Sequence, residues 1–233
     1  MRRNVLTAAL VISCLSLVSC SSNNSVEQPK DDLSQGNISD PAVSEAKLQE
    51  AGADCMAGSE IKGRPVRVVS TVAPITNLIG LLAGDIGPIV QGIVPEGTNS
   101  HTFEPPPSSV ATLESADIIF VNGMKLEDPT LELAKANAPK AVICELGTSS
   151  LAESDWIYDF SFPKEGGKPN PHLWTNPPNV LPYLSTIRNV LVNADPTNID
   201  KYDANYVLVS RLVMNLDEAM KVATATIGSE WSS

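Results

Sequence analysis

Hydrophobic positions along the chain fall into two kinds of run. Four runs are short and rich in β-branched residues, at 66–71, 88–94, 117–121 and 140–146. Runs of this length, bounded by Gly, Pro, Asn or Asp, predict buried strands. Between them lie stretches with apolar residues three and four apart. Pro74 opens a helical run to Leu82 that Gly84-Asp85 ends, as proline suits a first turn and glycine a stop. Ser108 or Ser109 stands where a cap is needed for a helix carrying Val110, Leu113 and Ala116. Further helices are predicted over 129–137 and over 179–194, the second interrupted early by Pro182. The last covers 199–226, with Tyr202, Tyr206, Val209, Val213, Leu216 and Met220 as an apolar stripe that lacks an obvious partner. This alternation predicts an α/β fold: a four-stranded, mostly parallel sheet flanked by helices, followed by one long helix. Ligands of such sheets gather outside the carboxyl ends of the strands.

The first fifty residues have a different pattern. Met1-Arg2-Arg3 precedes a mostly apolar stretch over 5–18 that is too short to span a bilayer comfortably. It ends in Leu17-Val18-Ser19-Cys20, which resembles the bacterial lipobox, a signal cleaved before the cysteine and acylated on its thiol. The competing readings are an ordinary signal peptide or a membrane anchor with a chance cysteine. Residues 21–60 are rich in Ser, Asn, Gln, Asp and Glu with few large apolar side chains, a composition that cannot offset the entropy of ordering. A short helix over 44–51 would be marginal alone. The expected organisation is therefore a signal peptide at 1–19, a lipidated disordered tether at 20–62, the α/β lobe at 63–195, the long helix at 196–228 and a tail at 229–233. The protein is expected to be extracytoplasmic, held to the bacterial cell membrane by lipid on Cys20.

Charge narrows the partners. The chain has 16 basic and 27 acidic residues; losing Arg2 and Arg3 with the signal would take the balance from −11 to −13. Such a surface repels phosphate backbones, so no nucleic-acid partner is expected. Of the four cysteines, Cys55 and Cys144 remain once Cys14 and Cys20 are set aside. Two readings stay open for them: a disulfide, as an oxidising compartment allows, or a buried small apolar residue at Cys144.

The chain has only two histidines. His101 lies in Glu96-Gly97-Thr98-Asn99-Ser100-His101-Thr102-Phe103-Glu104-Pro105-Pro106-Pro107, directly after the second strand. His172 lies in Asn170-Pro171-His172-Leu173-Trp174-Thr175-Asn176-Pro177-Pro178, just before a helix. Either alone reads most simply as a loop histidine. Two neutral imidazoles on two proline-stiffened loops at one rim of a sheet suit a divalent transition metal, with carboxylates completing the shell. Glu104 is expected to bond a backbone group or steady His101, and Asp117 to sit at a helix-to-strand corner.

Four motifs occur in a telling order: Ser70-Thr71-Val72-Ala73-Pro74, the His101 loop, Ala116-Asp117-Ile118-Ile119-Phe120-Val121-Asn122-Gly123 with Leu126-Glu127, and the His172 loop. Over about residues 64–228 the chain resembles the cluster A-I metal-binding lipoproteins of ABC importers, the ZnuA/PsaA/TroA-like or adhesin-like family. The resemblance implies two α/β lobes joined by a long rigid helix, with zinc or manganese between the lobes as transported ligand and an ABC permease subunit as partner. It implies that His101 and His172 are the ligands of the first lobe and that 199–226 is the joining helix. The implied action is capture of a solute, not catalysis.

Departures from the family pattern accompany the match. Asn99-Ser100 and Asn170-Pro171 stand where the family often has Asp-Pro before each ligand, and no His-rich loop lies between the two histidines. No residue matches the second lobe's ligands, a His or Glu and an Asp, so the sequence reads as a partial one that would bind metal weakly by itself. A metallohydrolase is disfavoured by the absence of His-Glu-x-x-His, Gly-x-Ser-x-Gly and phosphate-loop motifs. Two non-catalytic roles compete with metal capture: surface adhesion by a protein of the same family, and cobalamin or siderophore binding by a relative with helix-joined lobes.

Overall fold

The computed structural model describes residues 52–225 except Ala57 and Ser59. The expected signal peptide, Cys20, most of the tether and the 229–233 tail lie outside the described residues. Four strands, β1 (Arg67–Ser70), β2 (Ile89–Gly92), β3 (Ile118–Val121) and β4 (Val142–Glu145), form one sheet in the order β2-β1-β3-β4. All three pairings are parallel, with Val68 beside Ile118 and Phe120 beside Cys144. The central strand β3 is buried along its whole length, which explains its unbroken apolar run.

Side chains that alternate along the strands feed two cores. Val68, Phe120 and Cys144 pack on one face with α1 (Ala73–Ala83), α5 (Pro177–Ala194) and the first turns of α6 (Ile199–Thr224). Val69, Ile119 and Val121 pack on the other with α2 (Ser108–Glu114) and α3 (Asp128–Asn137) through Leu113, Leu131 and Ala134. The chain leaves β1 toward one face and β3 toward the other, so the carboxyl ends of these two neighbouring strands flank a topological switch point. Among the described residues no helix is long and apolar enough to cross a membrane.

Several local expectations need correction. Neither Ser108 nor Ser109 caps α2; Pro107 precedes the helix, and the Ser109 N–H instead donates to the Pro106 carbonyl. Pro182 does not interrupt α5, which starts two residues early, at Pro177. Pro182 lies near the start, where its missing donor removes a single early bond, and the buried Tyr183, Leu184 and Ile187 hold the helix against the sheet. A short helix that the hydrophobic pattern does not predict, α4 (Leu146–Ser150), follows β4 directly. The apolar stripe of α6 is also only half uncovered. Tyr202, Tyr206 and Val209 are buried, Asn205 Nδ2 donates to the Leu82 carbonyl at 2.9 Å, and Arg188 pairs with Asp203. Farther along, Leu212 is 56% exposed, Leu216 54% and Val222 65%.

Asp117 sits at the corner before β3, where both carboxylate oxygens accept from Arg64 at 2.6 Å and one also accepts from the Arg67 N–H. These bonds hold its pKa below the ordinary range. Cys55 and Cys144 form a disulfide with Cα atoms 5.0 Å apart, joining the segment upstream of β1 to the edge strand β4 across 89 residues.

Candidate metal centre

The His101 loop leaves β2 along the end of β1, where the Val94 N–H donates to the Thr71 carbonyl. Gly97, at φ 76°, takes a left-handed turn that few other residues accept. The Asn99 side chain then accepts the His101 N–H at 3.0 Å. The same turn recurs at the second histidine: Asn170 Oδ1 accepts the His172 N–H at 3.0 Å. Each histidine is thus presented by an asparagine two residues upstream.

The loops converge. His101 Nε2 and His172 Nε2 are 3.0 Å apart, with ring centroids at 5.0 Å and planes tilted by 56°. Two imidazoles on one zinc at about 2.0–2.1 Å would place their nitrogens roughly 2.9–3.4 Å apart, from right-angle to tetrahedral geometry. The observed spacing falls inside that range. Trp174 and Phe162 stand edge-on to the His172 ring, with centroids at 5.4 and 6.0 Å. Beside the pair, a cleft of about 470 Å³ opens between Pro74, Asn77, Glu96, Ser100 and Trp174.

The His172 tautomer follows from its neighbours. Asn170 Nδ2 donates to Asp159 Oδ2 at 2.6 Å, so Asn170 Oδ1 must be the acceptor for the His172 ring at 2.8 Å. His172 Nδ1 therefore carries the proton, and its Nε2 lone pair faces His101. The His101 Nε2–H fills the gap as donor; moving that proton to its own Nδ1 frees a second lone pair for an ion. The Asp159 pKa is held down, mainly by the Asn170 bond. The His172 pKa is pushed below its ordinary value by burial and then by His101, with Asp159 opposing.

A buried polar chain lies beneath the His172 loop. Asn122, at the end of β3, donates from Nδ2 to the Pro171 carbonyl at 2.9 Å and accepts from the Tyr183 hydroxyl at 3.0 Å. Its backbone N–H donates to Glu127 Oε1 at 2.6 Å, and the Thr71 hydroxyl donates to the same oxygen at 2.6 Å. Burial pushes the Glu127 carboxyl pKa up, against the lowering effect of these bonds.

Glu104 does not steady His101: it is exposed to solvent, which satisfies its charge, and joins no hydrogen bond among the described residues. Among the described residues no group of three or more His, Cys, Asp or Glu is arranged to hold an ion, so the centre consists of two imidazoles. Sequence reasoning missed Asn122, Asp159 and Asn170 as supports. The repeated Asn-x-His spacing was the available signal for the two asparagine turns.

The sequence pattern of the family described as zinc-uptake complex component A, periplasmic, matches residues 68–231. The chain is 30% identical over 167 residues to the iron-binding protein YfeA of Yersinia pestis, covering 70% of this chain and 50% of that protein. It is 30% identical over 184 residues to the manganese ABC transporter substrate-binding lipoprotein PsaA of Streptococcus pneumoniae, covering 76% and 57%. Among solved structures it superposes with a TM-score of 0.58 and 25% identity on a Cd-bound periplasmic metal binding protein from Candidatus Liberibacter asiaticus, covering 67% and 56%. The chain spans about half the length of the curated relatives it matches.

Proposed function

The chain belongs to the family of periplasmic zinc-uptake component A, and from that premise we propose that its described lobe is a two-imidazole half-site for a divalent transition metal destined for an ABC importer. The members of this family are solute-binding proteins of transport, not enzymes. The observation that supports the reading is the 3.0 Å approach of His101 Nε2 and His172 Nε2, with the His172 tautomer set by Asn170.

Zinc and manganese are the ions proposed. Imidazole suits both, while names of relatives mention iron and manganese, so the family alone does not choose. Two nitrogens leave half of a tetrahedral shell to water, so the lobe by itself holds an ion weakly and with little selectivity. The proposed setting is extracytoplasmic, with Cys20 lipidated, His101 and His172 as ligands and an ABC permease subunit as receiver of the ion. The Cys55–Cys144 bridge suits such an oxidising compartment.

Zinc competition against a chromophoric chelator tests the reading. Weak one-to-one binding, in the micromolar range or above, is expected in the purified chain and should vanish in both His101→Ala and His172→Ala. Binding that survives in both variants would overturn the assignment; tight nanomolar binding would overturn the half-site description.

A further inference from the structure

We propose that Asn122 is a positioning residue for the metal pair, a strut from the end of β3 that fixes the peptide leading into His172. This rests on the two-imidazole reading above and adds the residue that makes the second imidazole ready in advance.

The Asn122 side chain is fully buried, and both ends of its amide are engaged. Nδ2 donates to the Pro171 carbonyl at 2.9 Å and to the Gly123 carbonyl at 3.2 Å, while Oδ1 accepts from Tyr183. The amide therefore cannot turn over without setting Oδ1 against the Pro171 and Gly123 carbonyls, which accept only. The Pro171 carbonyl is the oxygen of the peptide that joins Pro171 to His172. Proline's ring already sets φ at that residue, and holding its carbonyl sets ψ. Beyond it, Asn170 Oδ1 takes both the His172 N–H and Nδ1, which orients the ring. From β3 to the imidazole, the torsions that aim Nε2 are each constrained by a ring or a hydrogen bond.

The base of the strut is equally fixed. The backbone of Asn122 donates to Glu127 Oε1, which Thr71 at the end of β1 also engages. Asn122 is thus tied to both strands that flank the switch point, and through Tyr183 to α5. Without the amide, the Pro171 carbonyl would be buried without a partner and its ψ released. A ligand free to rotate must be ordered when the ion arrives, which weakens binding.

Copper(II) electron paramagnetic resonance on the full oxidised chain, together with zinc competition, tests this. The wild type should show hyperfine structure from two imidazole nitrogens, reduced to one in His101→Ala. Asn122→Ala should show a dominant one-nitrogen signal and zinc affinity lower by about 10–100-fold, the usual cost of losing an outer support. Tyr183→Phe keeps the buried ring and removes the hydrogen bond at the other end of the amide; its loss should be smaller, about threefold to tenfold. Folded Asn122→Ala with the wild-type spectrum and affinity overturns the proposal. Should that variant not fold, a folded Tyr183→Phe indistinguishable from wild type overturns it instead. Absence of any His101-dependent signal in the wild type removes the two-imidazole reading and this inference together.

Discussion

The two histidine loops use the same asparagine turn but differ in what lies behind it. His172 has its backbone N–H and its ring nitrogen on Asn170, its peptide held by Asn122, and the buried Leu173 directly after it. His101 has its N–H on Asn99, an exposed side chain, and its partner ring as the acceptor for Nε2. In the proposed half-site one imidazole is fixed before an ion arrives, and the other is left to adjust to it. A site built this way keeps the geometry of one ligand and lets the second accommodate ions of different radius, at the cost of ordering one loop rather than two.

Substitutions on the two sides should therefore be unequal. Leu173→Ala removes a fully buried side chain and should lower unfolding free energy by about 2–4 kcal/mol in urea. Thr102→Ala, the equivalent position after His101, should stay within about 0.5 kcal/mol; equal effects would break the comparison. Asn170→Ala should reduce zinc affinity by about 10–100-fold in chelator competition, because it loses both the turn and the tautomer lock. Asn99→Ala, which loses only the turn, should cost about threefold or less on the same scale.

Acidification sharpens the contrast. An imidazole binds metal only when neutral, so affinity in the proposed half-site should fall as pH drops, by about tenfold per unit once His172 has begun to take a proton. The lowered pKa of His172 delays its protonation below the ordinary value of 6.5. Replacing Asp159 with Asn removes the one charge that raises the His172 pKa, so proton competition at that ring should begin at a still lower pH, as a histidine NMR titration would read. The subtlest effect concerns Glu127. Its folded pKa is raised above 4.5, so the folded chain keeps a proton that the unfolded chain has lost. Its contribution to stability is therefore fullest below 4.5 and is lost as pH rises through the folded value. Urea midpoints of Glu127→Gln should lack that decline.

Much of this architecture is legible in the order of residues. Val66, Val68, Val69 and the Ile118–Val121 run mark strands because the central strands are buried on both faces and need apolar side chains throughout. The short α4 escapes notice because Gly147, Thr148 and Ser149 are weak helix formers; burial of Leu146 holds it in place. Pro182 misleads for the opposite reason, since local propensity yields to the buried face of α5. The half-covered stripe of α6 is a tertiary fact: Tyr202 and Leu216 look equivalent in helical spacing, and only the position of α5 and α1 separates them. At the site, two histidines in similar loops stand out by their scarcity. Asn122 does not, because its role depends on a carbonyl 49 residues away that only the folded chain brings near.

The bridge between Cys55 and Cys144 also decides how tension would travel through the molecule. A pull entering upstream of Gly52 crosses from sulfur to sulfur into β4 and continues toward α6, bypassing the 89-residue span that contains β1, β2, β3 and the His101 loop. Covalently, one imidazole lies outside the stretched path and the other within it. The heavily braced partner is the one exposed to strain.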